Sequence, residues 1–237
     1  MNIRDEITDI KKEIIYWRRD FHKYPELSFE EHLTSKKIGE ALKLMGMNPQ
    51  MKVGKTGIVA DLKLGEGPII ALRADMDALP MQESGNLEFK SRHDGVMHAC
   101  GHDGHMAMLL GVAKTLSNYK KKLNGTVRFI FQPAEEGKGG ARYMIQDGCL
   151  EGVKEIYGLH VWNYQSVGEI GVKEGPVMAA ADMFYITVKG IGGHGAAPQG
   201  TVDSIVVASH LIQAFQTIVS RNTNPLDSTV ITVGKIN

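Results

Sequence analysis

Along the first part of the chain, Ile7, Ile10, Ile14 and Trp17 recur at three- and four-residue steps between charged neighbours, a spacing that predicts an amphipathic helix over 5–21, ending before Pro25. A second helix is predicted from Ser28, read as an N-cap ahead of Glu30 and Glu31, to a stop at Gly46. Its expected core positions are Leu33, Ile38, Leu42 and Leu44. The period then shortens. TGIVADLKL, PIIALRAD, TVRFIFQ and EIYGLHVW are short apolar or β-branched runs bounded by glycine or proline and read as strands. Residues 104–119 and 138–147 lie between them and read as helices, so strands and helices alternate. That order predicts an α/β fold, a layered domain with helices on both faces of a central mixed sheet.

From residue 181 the pattern changes. DMFYITVKGIGGHG alternates like a strand and runs into a glycine-rich turn; 201–221 reads as a helix, and STVITVGKIN as another strand. This β-α-β order predicts the beginning of a second domain, incomplete here, with boundaries at 1–180 and 181–237.

Composition narrows the partners. Lys plus Arg and Asp plus Glu both number 27, so no net field draws the chain to nucleic acid or to an anionic membrane. MNIRDEITDIKKEI lacks the apolar stretch of a signal peptide, and no run approaches bilayer length, so a cytoplasmic protein is expected. Two cysteines, Cys100 and Cys149, are too few for a disulfide framework.

Candidate chemistry gathers where apolar runs end. ALRAD ends at Asp75, with Asp77 two positions on; RFIFQPAEE ends at Glu135 and Glu136; IYGLH ends at His160. Sites in open α/β sheets form outside the carboxyl ends of strands, which favours one shared site. HACGHDGH, residues 98–105, opens a predicted helix, and Cys100 and His102 are spaced to face one centre. Thiolate, imidazole and carboxylate together suit zinc, manganese, cobalt or nickel rather than calcium or magnesium. One thiol among many carboxylates points to a catalytic rather than a structural site. Of Glu135 and Glu136, one would bind metal and the other act as general base; spacing leaves the order open. Plainer readings apply elsewhere: Cys149, Met106 and Met108 as packing, His22 as support for the turn before Pro25, and Asp103 as a cap for the helix after it. A thiol hydrolase with Cys100 as nucleophile is a rival that chelation would leave active.

RRDFHKYPELSFEE, ALRADMDALPMQE, MHACGHDGHMAMLLG, RFIFQPAEEG, GLHVWN and GIGGHGAAP, in this order, resemble the amidohydrolase branch of the M20 peptidase family, which includes hippurate hydrolases, N-acetyldiaminopimelate deacetylases and auxin-conjugate hydrolases. The resemblance implies a two-metal catalytic domain interrupted by an α+β lid that often dimerises. It implies Cys100, His102, Glu136 and His160 as ligands, Glu135 as general base and His194 as a lid histidine that contacts substrate. Asp75 and Asp77 would orient the ligands. The implied substrate is a small N-acyl amino acid. Family members return from the lid with a final histidine ligand, which no residue here matches, so an inactive metal-binding or interaction protein of the same fold is the alternative.

Overall fold

The computed structural model describes residues 3–118 and 123–237. It divides into two compact units, Met1–Ser166 and Val167–Asn237.

The first unit opens with helices α1 (Ile3–Lys23) and α2 (His32–Leu44), followed by β1 (Gln50–Val53), β2 (Gly57–Lys63) and β3 (Ile69–Asp75). Then come α3 (His102–Asn118), β4 (Thr126–Gln132), α4 (Gly140–Gln146) and β5 (Val153–Gly158). The five strands form one mixed sheet in the order β1-β2-β4-β3-β5. β3, β4 and β5 run parallel, while β2 is antiparallel to both β1 and β4. This is the α/β architecture the alternation predicts.

Side chains alternate across the sheet and divide the core in two. Ile58, Ala60, Leu62, Ala74, Phe129 and Phe131 face one side, where they pack with Phe21 of α1, Ile38 and Leu42 of α2, and Met106, Leu109 and Leu110 of α3. Val59, Ala71 and Ile130 face the other, against Met144 of α4 and Cys149. Each fully buried Phe or Leu contributes about 1.5–3 kcal/mol relative to exposure, so these two faces anchor the helices to the sheet.

Several expectations change. α2 begins at His32, and Ser28 does not cap it: the Ser28 hydroxyl donates to Asp77 Oδ2 at 2.6 Å. The first N–H groups of α2 find another acceptor, because Leu33 and Thr34 donate to the two carboxylate oxygens of Glu26. Ile38 and Leu42 are fully buried, but Leu33 and Leu44 are exposed, since the buried stripe of this short helix is narrower than its apolar content. β1 is an edge strand of four residues, too short to show a period. Residue 119, the end of the predicted third helix, lies outside the described residues.

In the second unit, Asp203 caps α5 (Ser204–Thr217), its carboxylate accepting from the Ile205 and Val206 N–H groups at 2.8 and 3.2 Å. A π-helical turn over Ile218–Asn222 extends it. The strands read within 182–195 and 228–237 are not formed; an antiparallel bridge between Ile191 and Val202 is the one β-pairing there among the described residues. Alternation makes a segment fit for a strand, but only a partner's backbone makes it one. Among the described residues, no helix is long and apolar enough to cross a membrane.

Candidate metal centre

Because β3, β4 and β5 are parallel, their carboxyl ends open on one edge of the sheet. Asp75 is the last residue of β3, with Asp77 just beyond; Glu135 and Glu136 follow β4, and His160 follows β5. His102 opens α3, with Cys100 in the turn before it. The structure brings all seven of these residues together. Metal-type ligand atoms from Cys100, His102 and His160 lie within 4.8 Å of one another, as do those from His102, Glu135 and Glu136, so His102 is common to both groups.

Hydrogen bonds fix which atoms face the centre. His102 Nδ1 donates to the Asp77 carbonyl oxygen at 2.7 Å, leaving Nε2 with the lone pair. That Nε2 lies 3.9 Å from Glu136 Oε1. Both atoms are buried and lack a hydrogen-bond partner. An unpaired buried polar atom costs about 1–3 kcal/mol, so a facing pair of them fits a divalent cation between them. His160 Nδ1 donates to the Val161 carbonyl oxygen at 2.6 Å, and its Nε2 faces Cys100 Sγ at 3.4 Å. The donor set is thiolate, two imidazoles and carboxylate, the chemistry of a transition-metal site.

Asp77 is the hub of the support. Its Oδ1 accepts the Glu135 N–H and its Oδ2 the Glu136 N–H, both at 3.0 Å. The turn that presents these amides is strained: Ala134 has φ of 51°, a left-handed conformation that costs an L-residue about 1–2 kcal/mol. Glu31, fully buried, holds it there by accepting the Ala134 N–H at 2.8 Å. The other Glu31 oxygen accepts the Thr56 hydroxyl at 2.5 Å. Sequence reading placed Glu31 in the first turn of a helix, and nothing local to it signals a partner 103 residues away.

Electrostatics favour positive charge at this place. Burial pushes the Cys100 thiol up, and the Glu136 carboxylate adds to this, so that it reaches about 12. A thiol held so high by its own neighbours is a poor nucleophile, which weighs against the thiol-hydrolase reading. Burial also raises Glu135, again with help from Glu136, in the direction a general base requires. Burial opposes charge on His102, yet the Asp77 hydrogen bond and the Asp75 charge outweigh it and raise its pKa.

Asp75 differs from the other acids. Its Oδ1 accepts from His105 Nδ1 at 2.6 Å and its Oδ2 from Arg73 Nη1 at 2.7 Å. Burial alone would raise it, but these partners hold it far below the usual carboxylate range. His105 was not among the sequence candidates, because within a helical run it reads as one more position of α3.

Behind the centre, Asp103 does not cap α3. It lies buried in the first turn and takes Arg18 Nε and His22 Nδ1, both at 2.8 Å. His22 is itself buried and reaches Glu83 Oε1 at 3.3 Å through its other nitrogen. Its support therefore goes to this cluster, while His93 Nδ1 holds the Pro25 carbonyl at 2.8 Å. His194 lies in the second unit, where its Nδ1 accepts the Ala196 N–H at 3.1 Å.

The family model for peptidase family M20/M25/M40 matches residues 71–234. The chain belongs to this family. Among its M20 relatives, an N-acetyl-L-cysteine deacetylase of Bacillus subtilis is 49% identical over 98% of this chain and 56% of its own length. An N-acyl-L-amino acid amidohydrolase of Geobacillus stearothermophilus is 45% identical over 98% of the chain and 63% of its own length. An IAA-amino acid hydrolase of Arabidopsis thaliana is 49% identical over 92% and 50%. The chain thus spans about half to two thirds of the curated relatives it matches. Two solved structures share the fold: a dinuclear metal-binding M20 peptidase of Bacillus subtilis, with TM-score 0.69 and 48% identity over 71% of this chain and 48% of its own, and a putative aminohydrolase of Staphylococcus aureus, with TM-score 0.77 and 37% identity over 98% and 62%.

Proposed function

We propose that this M20-family chain serves a metal-dependent amidohydrolase that releases the amino acid from small N-acyl amino acids. The observation that carries the proposal is the facing pair of unpartnered buried atoms, His102 Nε2 and Glu136 Oε1, beside Cys100, His160 and a raised Glu135. The names of the relatives supply the substrate class, N-acetylcysteine and other N-acyl amino acids. Cys100, His102, Glu136 and His160 are the ligands in this reading, for zinc, manganese, cobalt or nickel.

Two such ions would supply Lewis-acid polarisation of the acyl carbonyl and a lowered pKa for water. The protein's own part is proton transfer and positioning. A Glu135 carboxylate oxygen takes the proton of the attacking water and returns it to the amide nitrogen as the C–N bond breaks. Asp77 holds the Glu135 and Glu136 amides, fixing the backbone of the turn that presents both the base and the ligand to the centre. In this reading His194 is the donor to the developing oxyanion, a contribution of about 2.7–4 kcal/mol for one such donor. The second domain, 181–237 in the sequence reading, is the surface for a homodimer.

The test is hydrolysis of N-acetyl and N-benzoyl amino acids by the purified chain loaded with each of the four metals, with a chelated control and elemental analysis. Metal-dependent release of free amino acid is expected. Glu135→Gln should abolish turnover with bound metal unchanged; loss of metal in that variant would overturn its assignment as the base. Bound metal without turnover in the wild type would favour the inactive metal-binding alternative.

A further inference from the structure

Residue His105 has both ring nitrogens committed, and each commitment has a direction. Nδ1 contacts the Asp75 carboxylate at 2.6 Å, and Arg73 keeps that carboxylate ionised, so Nδ1 must carry the proton. Nε2 is therefore the lone-pair nitrogen, and it accepts the Val161 N–H at 2.9 Å. Val161 is the residue whose carbonyl oxygen takes the Nδ1 proton of His160. The His105 and His160 rings meet edge-on, with centroids 4.7 Å apart. His160 has no regular element to hold it: it lies beyond the end of β5, on an exposed stretch of chain.

We propose that His105 is a positioning residue for His160, fixing the Val161 peptide so that the His160 ring presents its Nε2 lone pair toward Cys100. The inference rests on the reading of His160 as a metal ligand and extends it by one layer of structure. Asp75 then acts mainly on the tautomer of His105: by demanding the proton at Nδ1, it keeps Nε2 an acceptor for the Val161 amide. Asp75 and His105 form a further group with His102 whose ligand-type atoms lie within 4.8 Å of one another, but both ring nitrogens of His105 already have a protein partner.

Two variants distinguish positioning from mere space filling. In His105→Gln the side-chain oxygen reaches the place of Nε2 and accepts the Val161 N–H; being an amide oxygen, it needs no tautomer control. In His105→Asn the amide reaches only the place of Nδ1, so the Asp75 contact survives and the Val161 contact is lost. Cobalt(II) is the probe, titrated into the 237-residue chain and followed by its thiolate charge-transfer absorption. The expected result is near wild-type cobalt affinity for His105→Gln and a loss of about 10–100-fold for His105→Asn, the usual effect of removing an outer partner of a metal-ligating histidine. Equal affinities for the two variants, whether both normal or both weak, would overturn the proposal. A second measurement needs no variant: nitrogen-15 NMR of the histidine rings should show His105 protonated at Nδ1 and bare at Nε2, and the opposite tautomer would overturn it. Failure of the wild-type chain to bind cobalt would remove the metal centre and this role together, whereas cobalt bound equally by all three proteins removes only the role of His105.

Discussion

The carbonyl oxygen of Asp77 lies 2.7 Å from His102 Nδ1, while the carboxylate of the same residue accepts the Glu135 and Glu136 amides. One residue thus sets the ring orientation of one ligand and the backbone of another. Asp77→Asn keeps the main-chain contact but turns one acceptor into a donor facing an N–H. The expected outcome is a fall of about 10–100-fold in metal affinity with the fold retained, checked by calorimetric titration of zinc. Unchanged affinity would show that the Glu135–Glu136 turn holds itself without Asp77.

Gly101, between Cys100 and His102, has φ of 84°, and a Cβ there would lie 2.3 Å from Val161 Cγ2. Gly101→Ala therefore combines an unfavourable backbone conformation with a collision in the site. A destabilisation of about 1–3 kcal/mol is expected, which at this chain length lowers Tm by roughly 2–4 °C per kcal/mol. Adding Val161→Ala removes the collision but not the strained φ, so the double variant should recover part of the loss. Thermal unfolding of the wild type and the two variants decides between the two causes; full recovery would mean that the backbone conformation costs nothing.

His22 is raised by its hydrogen bond to Asp103, against the opposing effect of burial, and Glu83 adds to the rise. A histidine raised in the native state contributes stability that is complete below its unfolded value of about 6.5 and is lost as pH rises through the native value. His22→Gln should cost about 1.5–3 kcal/mol in mildly acidic solution, the range for hydrogen bonds to charged groups, and less in alkali. Urea unfolding of wild type and variant at pH 6 and pH 10 gives the comparison. A difference that stays constant or grows with pH would mean that His22 is neutral in the native state.

Much of this site was legible because its ligands follow strand ends, and strand ends can be read from apolar periodicity. Asp75, the Glu135–Glu136 pair and His160 each close such a run, and parallel pairing of β3, β4 and β5 brings those closures to one edge. The supports were not legible for the opposite reason. Glu31 meets Ala134, and Ser28 meets Asp77, across 103 and 49 residues. Such pairings leave no local period, so Ser28 was read as a cap from its immediate neighbours alone. The strands expected within 182–195 and 228–237 failed differently: the alternation is present in the sequence, but a ladder depends on a partner that local pattern does not specify.

Cys100 is the one soft ligand in the candidate set, and burial together with the Glu136, Glu135 and Asp75 carboxylates holds its thiol up to about 12. A cation among those carboxylates reverses the balance and ionises the thiol, so metal binding there must release a proton. Two consequences are measurable. Calorimetric titration in buffers of different ionisation enthalpy should show proton release on zinc binding, and Cys100→Ser should reduce that release. The same variant should also change metal choice, because losing the thiolate weakens zinc and cobalt more than manganese, which tolerates oxygen ligands. The ratio of zinc to manganese affinity is therefore expected to fall in Cys100→Ser. An unchanged ratio would place Cys100 outside the coordination sphere, leaving His102, Glu136 and His160 to hold the ion, with the 3.4 Å approach of its sulfur to His160 a packing contact.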